Sequence, residues 1–124
     1  MRKGKPMNQK EADDADLQAR ASQLAAMTAL AEAKWVEGMF RVFAAVRGER
    51  LRQLGKWGVR SNRDKTAPDL AVWQLILKEE VGEAAKAVLE HLYDGKPIAD
   101  VRAELVQVAA VACAIVQWLD TGEA

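Results

Sequence analysis

A long proline-free stretch near the N-terminus constrains the fold of this chain more than any other feature. From about Glu11 to Leu54 there is no proline, and glycine occurs only at positions 38 and 48. Apolar and small residues recur there at helical spacing, which predicts helices near residues 11–33 and 35–55, either separate or fused. The same stretch carries a narrow seam suited to packing on another helix or on a second copy, formed by Leu17, Ala21, Leu24, Thr28, Ala31 and Trp35.

Turn residues divide the rest of the chain into two further predicted helices. Residues 59–68 are polar and indicate a loop. Asp69 is placed to cap one helix, Gly95 to end it, and Pro97 to open the next. We expect these helices over about 69–93 and 98–119. No segment has a strand pattern, so the sequence predicts an all-α protein of three or four helices, whose small core is completed by oligomerisation.

The composition limits the partners and the compartment. The formal net charge of the 124 residues is zero, which excludes a general nucleic-acid binder. No apolar run approaches the ~20 residues that cross a bilayer, and the basic start is not followed by a signal-type segment. We therefore expect a soluble, cytoplasmic protein with no membrane or nucleic-acid partner. Residues 1–10 are expected to form a disordered tail or a leader.

Charge and cysteine content add two local expectations. Between Arg47 and Lys65 there are seven basic and two acidic residues, which suits phosphate groups but also fits ordinary solvated charges. A DNA-binding role is disfavoured because this run is short and lacks helix-turn-helix spacing. The single cysteine, Cys113, lies in an apolar run, so we expect a small buried side chain and no internal disulfide.

Glutamates fall on helix faces that are otherwise apolar. At about 100° per residue, Glu80 lies inside the arc of Trp73, Ile76, Leu77, Ala84 and Ala87, and Glu83 lies at its edge. In the last helix, Glu104 falls within the stripe of Val101, Val108, Val111, Ala112 and Ile115. Carboxylates that point into a core are costly unless a cation meets them. Two such helices packed together therefore predict a divalent-metal site.

The spacing of these groups favours a hard metal ion. Glu80 and Glu83 are three residues apart, as are Glu104 and Gln107, so each pair shares a helix face. Oxygen ligands of this kind suit Mg²⁺ or Mn²⁺. A di-iron site is disfavoured because it requires histidine on two helices and the chain has only His91. The alternative is a solvated helix face on which the glutamates pair with neighbouring lysines.

The same residues resemble a known family. The motif Glu79-Glu80-Val-Gly-Glu83, followed after twenty residues by Glu104-Leu-Val-Gln107, is similar to the EExxE and ExxD signature of the MazG-like, all-alpha nucleoside triphosphate pyrophosphohydrolases. The segment 49–58 also resembles small phage and actinobacterial members. The match covers about residues 36 to 120, which implies a helical bundle of three core helices within residues 35–124. Residues 1–34 would form an N-terminal tail and helical extension, for which no counterpart is recognised.

The resemblance implies an activity and a set of site residues. The reaction would be hydrolysis of an NTP or dNTP to the monophosphate and pyrophosphate, in nucleotide-pool housecleaning. Glu80, Glu83, Glu104 and Gln107 would hold Mg²⁺, with Mn²⁺ as an alternative, and Glu79 and Glu83 would serve catalysis. Arg50, Lys56, Arg60, Arg63 and Lys65 are candidates for gripping phosphates, and Trp57 for stacking on the base. Alternatively, the five cationic side chains are ordinary solvated charges, and Trp57 packs into the hydrophobic core at the end of its helix.

One position departs from the family pattern. Gln107 stands where the family has aspartate, and its amide offers an oxygen without a charge. Asp100, on the same helix face as Glu104, is a candidate to compensate. The departure favours a second hypothesis from a different class, a non-catalytic helical module that binds a nucleotide or a partner protein through the Leu17–Trp35 seam.

Overall fold

A computed structural model describes residues 4–124, which form three helices. These are α1 (Gln9–Trp57), α2 (Leu70–Asp94) and α3 (Ile98–Thr121). The only β-type pairing in the described part is an isolated bridge between Ser61 and Glu123, so the all-α prediction is confirmed. The start of the expected tail, residues 1–3, lies outside the described residues. None of the helices in residues 4–124 is long and apolar enough to cross a membrane.

The N-terminal region is one continuous helix where two were predicted, separate or fused. Asn8 starts α1 with a reciprocal cap, because its Oδ1 accepts from the Glu11 backbone N–H and its own N–H donates to the Glu11 carboxylate, at 2.9 and 3.0 Å. The residues as far as Phe40 form one compact unit and residues 41–124 form another. Within the first unit the seam is solvent-exposed, with Leu17 and Leu24 each about two-thirds accessible.

In the second unit, α2 and α3 form an antiparallel hairpin. The Asp69 carboxylate accepts from the Val72 N–H at 2.9 Å and so caps α2 as predicted. Gly95 ends α2 in the left-handed conformation, at φ 69°. The tryptophan at the start of α2 meets the one near the end of α3, since the ring centroids of Trp73 and Trp118 lie 6.5 Å apart. This pairing fixes the antiparallel arrangement.

The hydrophobic core is small. Its buried members belong to α2 and α3, and more than half are alanines: Trp73, Ala84, Ala87, Val101, Ala110, Val111 and Ala114. The predicted stripes are therefore buried only in part, because Ile76, Leu77, Val108, Ala112 and Ile115 are half-buried. No large side chain among residues 4–124 is fully buried. A core of this size contributes little of the apolar burial on which a folded domain depends.

Backbone hydrogen bonds join the loop after α1 to the end of α3. The Arg60 N–H donates to the Ala124 carbonyl at 2.7 Å, and the Ala124 N–H donates back to the Arg60 carbonyl at 2.9 Å. The Asn62 N–H donates to the Gly122 carbonyl at 2.9 Å. The left-handed Gly122, at φ 76°, makes this return possible.

We expect Gly122→Ala to lower the free energy of unfolding by about 1–2 kcal/mol. An added Cβ would occupy a positive-φ residue and lie 2.7 Å from the Asn62 Oδ1. Gly95→Ala is the matched control, because Gly95 has the same backbone conformation and nothing within 4 Å of its Cβ position. Urea unfolding of both variants measures the difference. Equal losses would show that the contact with Asn62 adds nothing.

Candidate functional site

One large cavity lies between the last part of α1, residues 41–57, and the α2–α3 hairpin. Its volume is about 1010 Å³, because no Cα atom of this part of α1 comes within 8 Å of a Cα atom of α2 or α3. Each of the three helices supplies an oxygen-bearing side chain to its wall, namely Glu49, Glu80 and Gln107. Polar groups that are far apart in the sequence therefore line the same cavity.

Burial and four other carboxylates raise the pKa of Glu80. Its side chain is half-buried, and this burial is the main cause that raises the pKa of Glu80 above its ordinary value. The negative charges of Glu104, Glu79, Glu49 and Glu83 raise the pKa further, in that order. These five glutamates, the acidic cluster, come from all three helices. That Glu80 and Glu104 converge on one ion stays a prediction.

The raised pKa gives the free energy of unfolding a definite pH dependence. A carboxyl whose folded pKa is raised stabilises the fold fully below its unfolded pKa, about 4.3 for glutamate, and loses that contribution as pH rises through the folded pKa. Without divalent ions, Glu80→Gln should therefore be more stable than the wild type at neutral pH, by a few tenths to about 1 kcal/mol. The difference should shrink as pH falls towards 4.

Chemical unfolding of the two proteins at several pH values checks this expectation. Glu49, whose pKa is lowered chiefly by its hydrogen bonds to Arg52, contributes with the opposite sign in both proteins, so the comparison reports on Glu80 together with its interaction with Glu49. A difference that does not change with pH would contradict the assigned environment of Glu80.

Glu49 is a member of the acidic cluster that the sequence analysis did not single out as a site residue. Its carboxylate accepts two hydrogen bonds from the Arg52 guanidinium, from Nε at 2.9 Å and from Nη2 at 2.7 Å. The Gln53 amide adds a longer contact at 3.5 Å. The three-residue spacing of Glu49 and Arg52 is the only sequence signal for this pair.

A second group of side chains in the cavity is cationic and aromatic. The Lys56 Nζ and the Arg60 guanidinium lie 4.7 and 5.0 Å from the centre of the Trp57 ring, and Arg60 also lies 5.9 Å from that of Trp73. We call Lys56, Trp57, Arg60 and Trp73 the cationic-aromatic cluster. All four line the cavity. The Trp57 side chain is 57% exposed, so it is not part of the hydrophobic core.

Arg50 also lines the cavity, and two glutamines engage its guanidinium. Its Nη1 donates to the Gln53 side chain at 2.9 Å and its Nη2 to the Gln117 side chain at 3.4 Å. Both of these partners are neutral amides, so the two hydrogen bonds orient the Arg50 guanidinium within the cavity wall without an opposite charge of their own.

Several predicted site residues lie outside the cavity wall. Glu79 and Glu83 are exposed on α2, and Glu104 is half-buried on α3. Arg63 and Lys65 are exposed on a loop closed by hydrogen bonds of Asp64 and Thr66.

The expected burial of Cys113 is wrong. The side chain is exposed and lines the cavity. Apolar neighbours in the sequence predict the face that meets α2, whereas Cys113 lies on the face towards α1. Among the described helices none packs closely on that face, so the thiol stays accessible.

The carboxylate oxygens of the acidic cluster are chemically suitable ligands for a hard divalent ion, but their present positions are not suitable for binding one. The acidic cluster supplies carboxylate oxygens, and their mutual repulsion is the condition that a cation relieves. Within residues 4–124, however, no three acidic, histidine or cysteine side chains are positioned to hold one ion together. Glu79 and Glu83 are solvent-exposed and free to change rotamer. Ion binding here therefore requires side chains to move inwards.

Comparison with protein families, curated proteins and solved structures finds no match to the chain. The resemblance to the MazG-like family therefore stays a prediction carried by the residues themselves.

Proposed function

We propose that this protein is a Mg²⁺-dependent nucleoside triphosphate pyrophosphohydrolase of the MazG-like type. It would cleave an NTP or dNTP to the monophosphate and pyrophosphate in the cytoplasm, and so remove surplus or non-canonical nucleotides. The observation that supports this most is the presence in one cavity of both a carboxylate with a raised pKa, Glu80, and a cationic-aromatic cluster. A triphosphate with its divalent ion has the complementary charges and a base that stacks on indole.

The acidic cluster is assigned to the ion and to the attacking water. Glu80, Glu83, Glu104 and the Gln107 amide oxygen would hold Mg²⁺, or Mn²⁺ in its place. When bound, the ion would neutralise phosphate charge and lower the pKa of a coordinated water. Glu79 and Glu83 are exposed, and they are assigned to orient the water and accept its proton.

The cationic-aromatic cluster is assigned to the nucleotide. Arg60 lies over two indole rings, and its guanidinium N–H groups would donate to phosphate oxygens. Lys56 adds a point charge beside it. The exposed Trp57 ring offers a stacking surface for the base. Arg50 is a further phosphate ligand, and the exposed Arg63 and Lys65 would act from the loop.

Self-association is part of the same proposal. The buried core of the described residues is small and mostly alanine, while many large side chains of all three helices are exposed. A second copy would cover them and complete the bundle as a dimer or tetramer. Sedimentation equilibrium over a range of concentrations tests this point, and a monomer at every concentration would contradict it.

A second candidate function is a helical module that binds nucleotide without cleaving it. Gln107 favours it, because an amide replaces a charge where the family has aspartate, and a weaker site for the ion follows. The two functions differ in turnover, not in binding.

Pyrophosphate release from a panel of NTPs and dNTPs, with Mg²⁺ or Mn²⁺, tests the main proposal. The expected result is stoichiometric formation of monophosphate and pyrophosphate that stops when the ion is chelated. Release of orthophosphate instead would contradict cleavage between the α and β phosphates. Nucleotide binding without turnover would favour the second candidate.

A further inference from the structure

Residues 60–62 and 122–124 pair as a short antiparallel ribbon, which we call the ribbon. Arg60 and Ala124 exchange both of their backbone hydrogen bonds, at 2.7 Å from the Arg60 N–H to the Ala124 carbonyl and at 2.9 Å in the reverse direction. A third backbone bond lies two residues further along the loop, at 2.9 Å. The segment that follows α3 therefore holds the backbone of Arg60 from both of its polar groups.

The middle of the ribbon is also fixed by the loop itself. Ser61 is the only buried polar residue among residues 4–124, with 7% of its surface exposed. Its N–H donates to the Thr66 Oγ1 at 3.0 Å, and its carbonyl accepts from the N–H groups of Thr66 and Ala67 at 3.1 and 3.2 Å. The backbone polar groups of two consecutive residues are thus all paired. The direction in which the Arg60 side chain leaves the backbone is set by these bonds.

The Arg60 side chain meets two tryptophans of the cavity wall. Its guanidinium lies 5.0 Å from the ring centre of Trp57, the last residue of α1, and 5.9 Å from that of Trp73, near the start of α2. Along the chain, Arg60 is only three residues past α1 and follows the left-handed Gly58. A segment tied at that end alone has many backbone conformations, and few of them place the guanidinium beside both rings. The ribbon removes this freedom.

We propose that the ribbon positions Arg60 to bind an anionic phosphate group in the cavity. Arg60 would contact the ligand, and Ala124 is a positioning residue that acts through the Arg60 backbone. Because ligand binding and ribbon closure depend on the same arginine, each stabilises the other by the same factor. The inference rests on the role of Arg60 as a phosphate ligand in the proposed function, but it does not depend on cleavage or on a metal ion.

Calorimetric titration of the full chain with inorganic pyrophosphate, without divalent ions, tests the proposal. Ala124→Pro removes the N–H that donates to the Arg60 carbonyl and leaves every charged side chain in place. It should bind pyrophosphate about 3- to 10-fold more weakly than the wild type. Ala124→Ser is the matched control, because it keeps this N–H, and its affinity should stay within about twofold of the wild type. Equal affinities for Ala124→Pro and the wild type would overturn the proposal.

A double-mutant cycle with Arg60→Gln separates positioning from general support of the fold. Arg60→Gln removes the guanidinium and keeps the backbone of the ribbon, and should bind pyrophosphate at least about 10-fold more weakly. In that background Ala124→Pro should change the affinity less than about twofold, because the ribbon then positions no charge. If Ala124→Pro weakens binding by the same factor in both backgrounds, its effect is general and the positioning role is wrong.

Amide hydrogen exchange follows the ribbon directly. The N–H groups of Arg60 and Ala124 should exchange about 3- to 10-fold more slowly when pyrophosphate is bound. The Lys96 N–H, which donates to the Glu90 carbonyl at 3.2 Å in the turn between α2 and α3, is the internal control and should not respond. Unchanged exchange at both ribbon amides with pyrophosphate bound would contradict the coupling.

The outcomes separate this inference from the proposed function. If nucleotides are cleaved but Ala124→Pro binds pyrophosphate as the wild type does, only the positioning role is wrong. If Ala124→Pro weakens binding only where Arg60 is present and no nucleotide is cleaved, the positioning role holds and the proposed function is wrong. A wild type that does not bind pyrophosphate would overturn the inference, whatever the cleavage assay shows. Circular dichroism of each variant separates these results from a loss of folding.

Discussion

Glu80→Gln should lower the rate of pyrophosphate release by at least about 100-fold. Substitution of a group that only hydrogen-bonds to a metal ligand lowers metal affinity or activity about 10- to 100-fold. Glu80 is assigned as a metal ligand itself, so we expect a loss at the upper end of this range or beyond. Burial and the charges of four other glutamates also raise the pKa of this carboxylate. The variant keeps the shape of the side chain and removes only the charge. Steady-state release of pyrophosphate from the preferred nucleotide measures the effect.

The control for this variant is Glu90→Gln, the same substitution on the same helix. Glu90 is half-buried near the end of α2 and lies 3.9 Å from the Lys86 Nζ. We expect its rate within about twofold of the wild type, as for a solvated ion pair. Loss of activity in both variants would indicate a general disturbance of α2. Unchanged activity in Glu80→Gln would show that the cluster does not take part in the reaction.

Gln107→Asp should bind Mg²⁺ about 5- to 30-fold more tightly than the wild type. Gln107 lines the same cavity as Glu80 and Glu49, one turn of α3 after Glu104. A carboxylate there adds a negative charge to a set of ligands that already favours hard cations. Without the ion, the same charge adds repulsion, so the variant should unfold at a lower temperature than the wild type. Mg²⁺ should then stabilise it more strongly than it stabilises the wild type.

Gln117→Asp supplies the comparison for this prediction. It makes the same change on the same helix and the same cavity wall, where the side chain accepts a hydrogen bond from Arg50. The new charge would pair with that arginine, so Mg²⁺ affinity should change little. If both variants bind Mg²⁺ more tightly by the same factor, the effect is due to net charge and not to position 107. If Gln107→Asp weakens Mg²⁺ binding, position 107 is not a ligand.

Local chemistry explains why α2 and α3 were predictable from sequence. The expected ranges, 69–93 and 98–119, differ from the observed helices by at most two residues. Asp69 and Gly95 act through hydrogen bonds to the adjoining turns, which depend only on neighbours in the chain. The interior of α1 lacks such signals. Gly38 and Gly48 each cost about 1 kcal/mol against alanine, which is too little to break a helix without proline.

Only those features of the candidate site that depend on a single helix could be predicted from the sequence. The position of Glu80 in an apolar arc follows from the sequence, and its half-burial agrees. Helical periodicity says nothing about how one helix is rotated relative to another. Glu49, Arg52 and Glu80 line the same cavity because of that rotation, and Cys113 is exposed for the same reason. Such relations between separate helices require coordinates.

The accessible Cys113 gives the molecule a reporter of its own. It is the only cysteine in the chain, and it stands on the wall of the cavity assigned to the nucleotide. A maleimide dye would therefore attach at a single known point, without engineering. Its rate of attachment, or its emission once attached, would follow occupancy of the cavity in real time, whichever nucleotide proves to be the ligand.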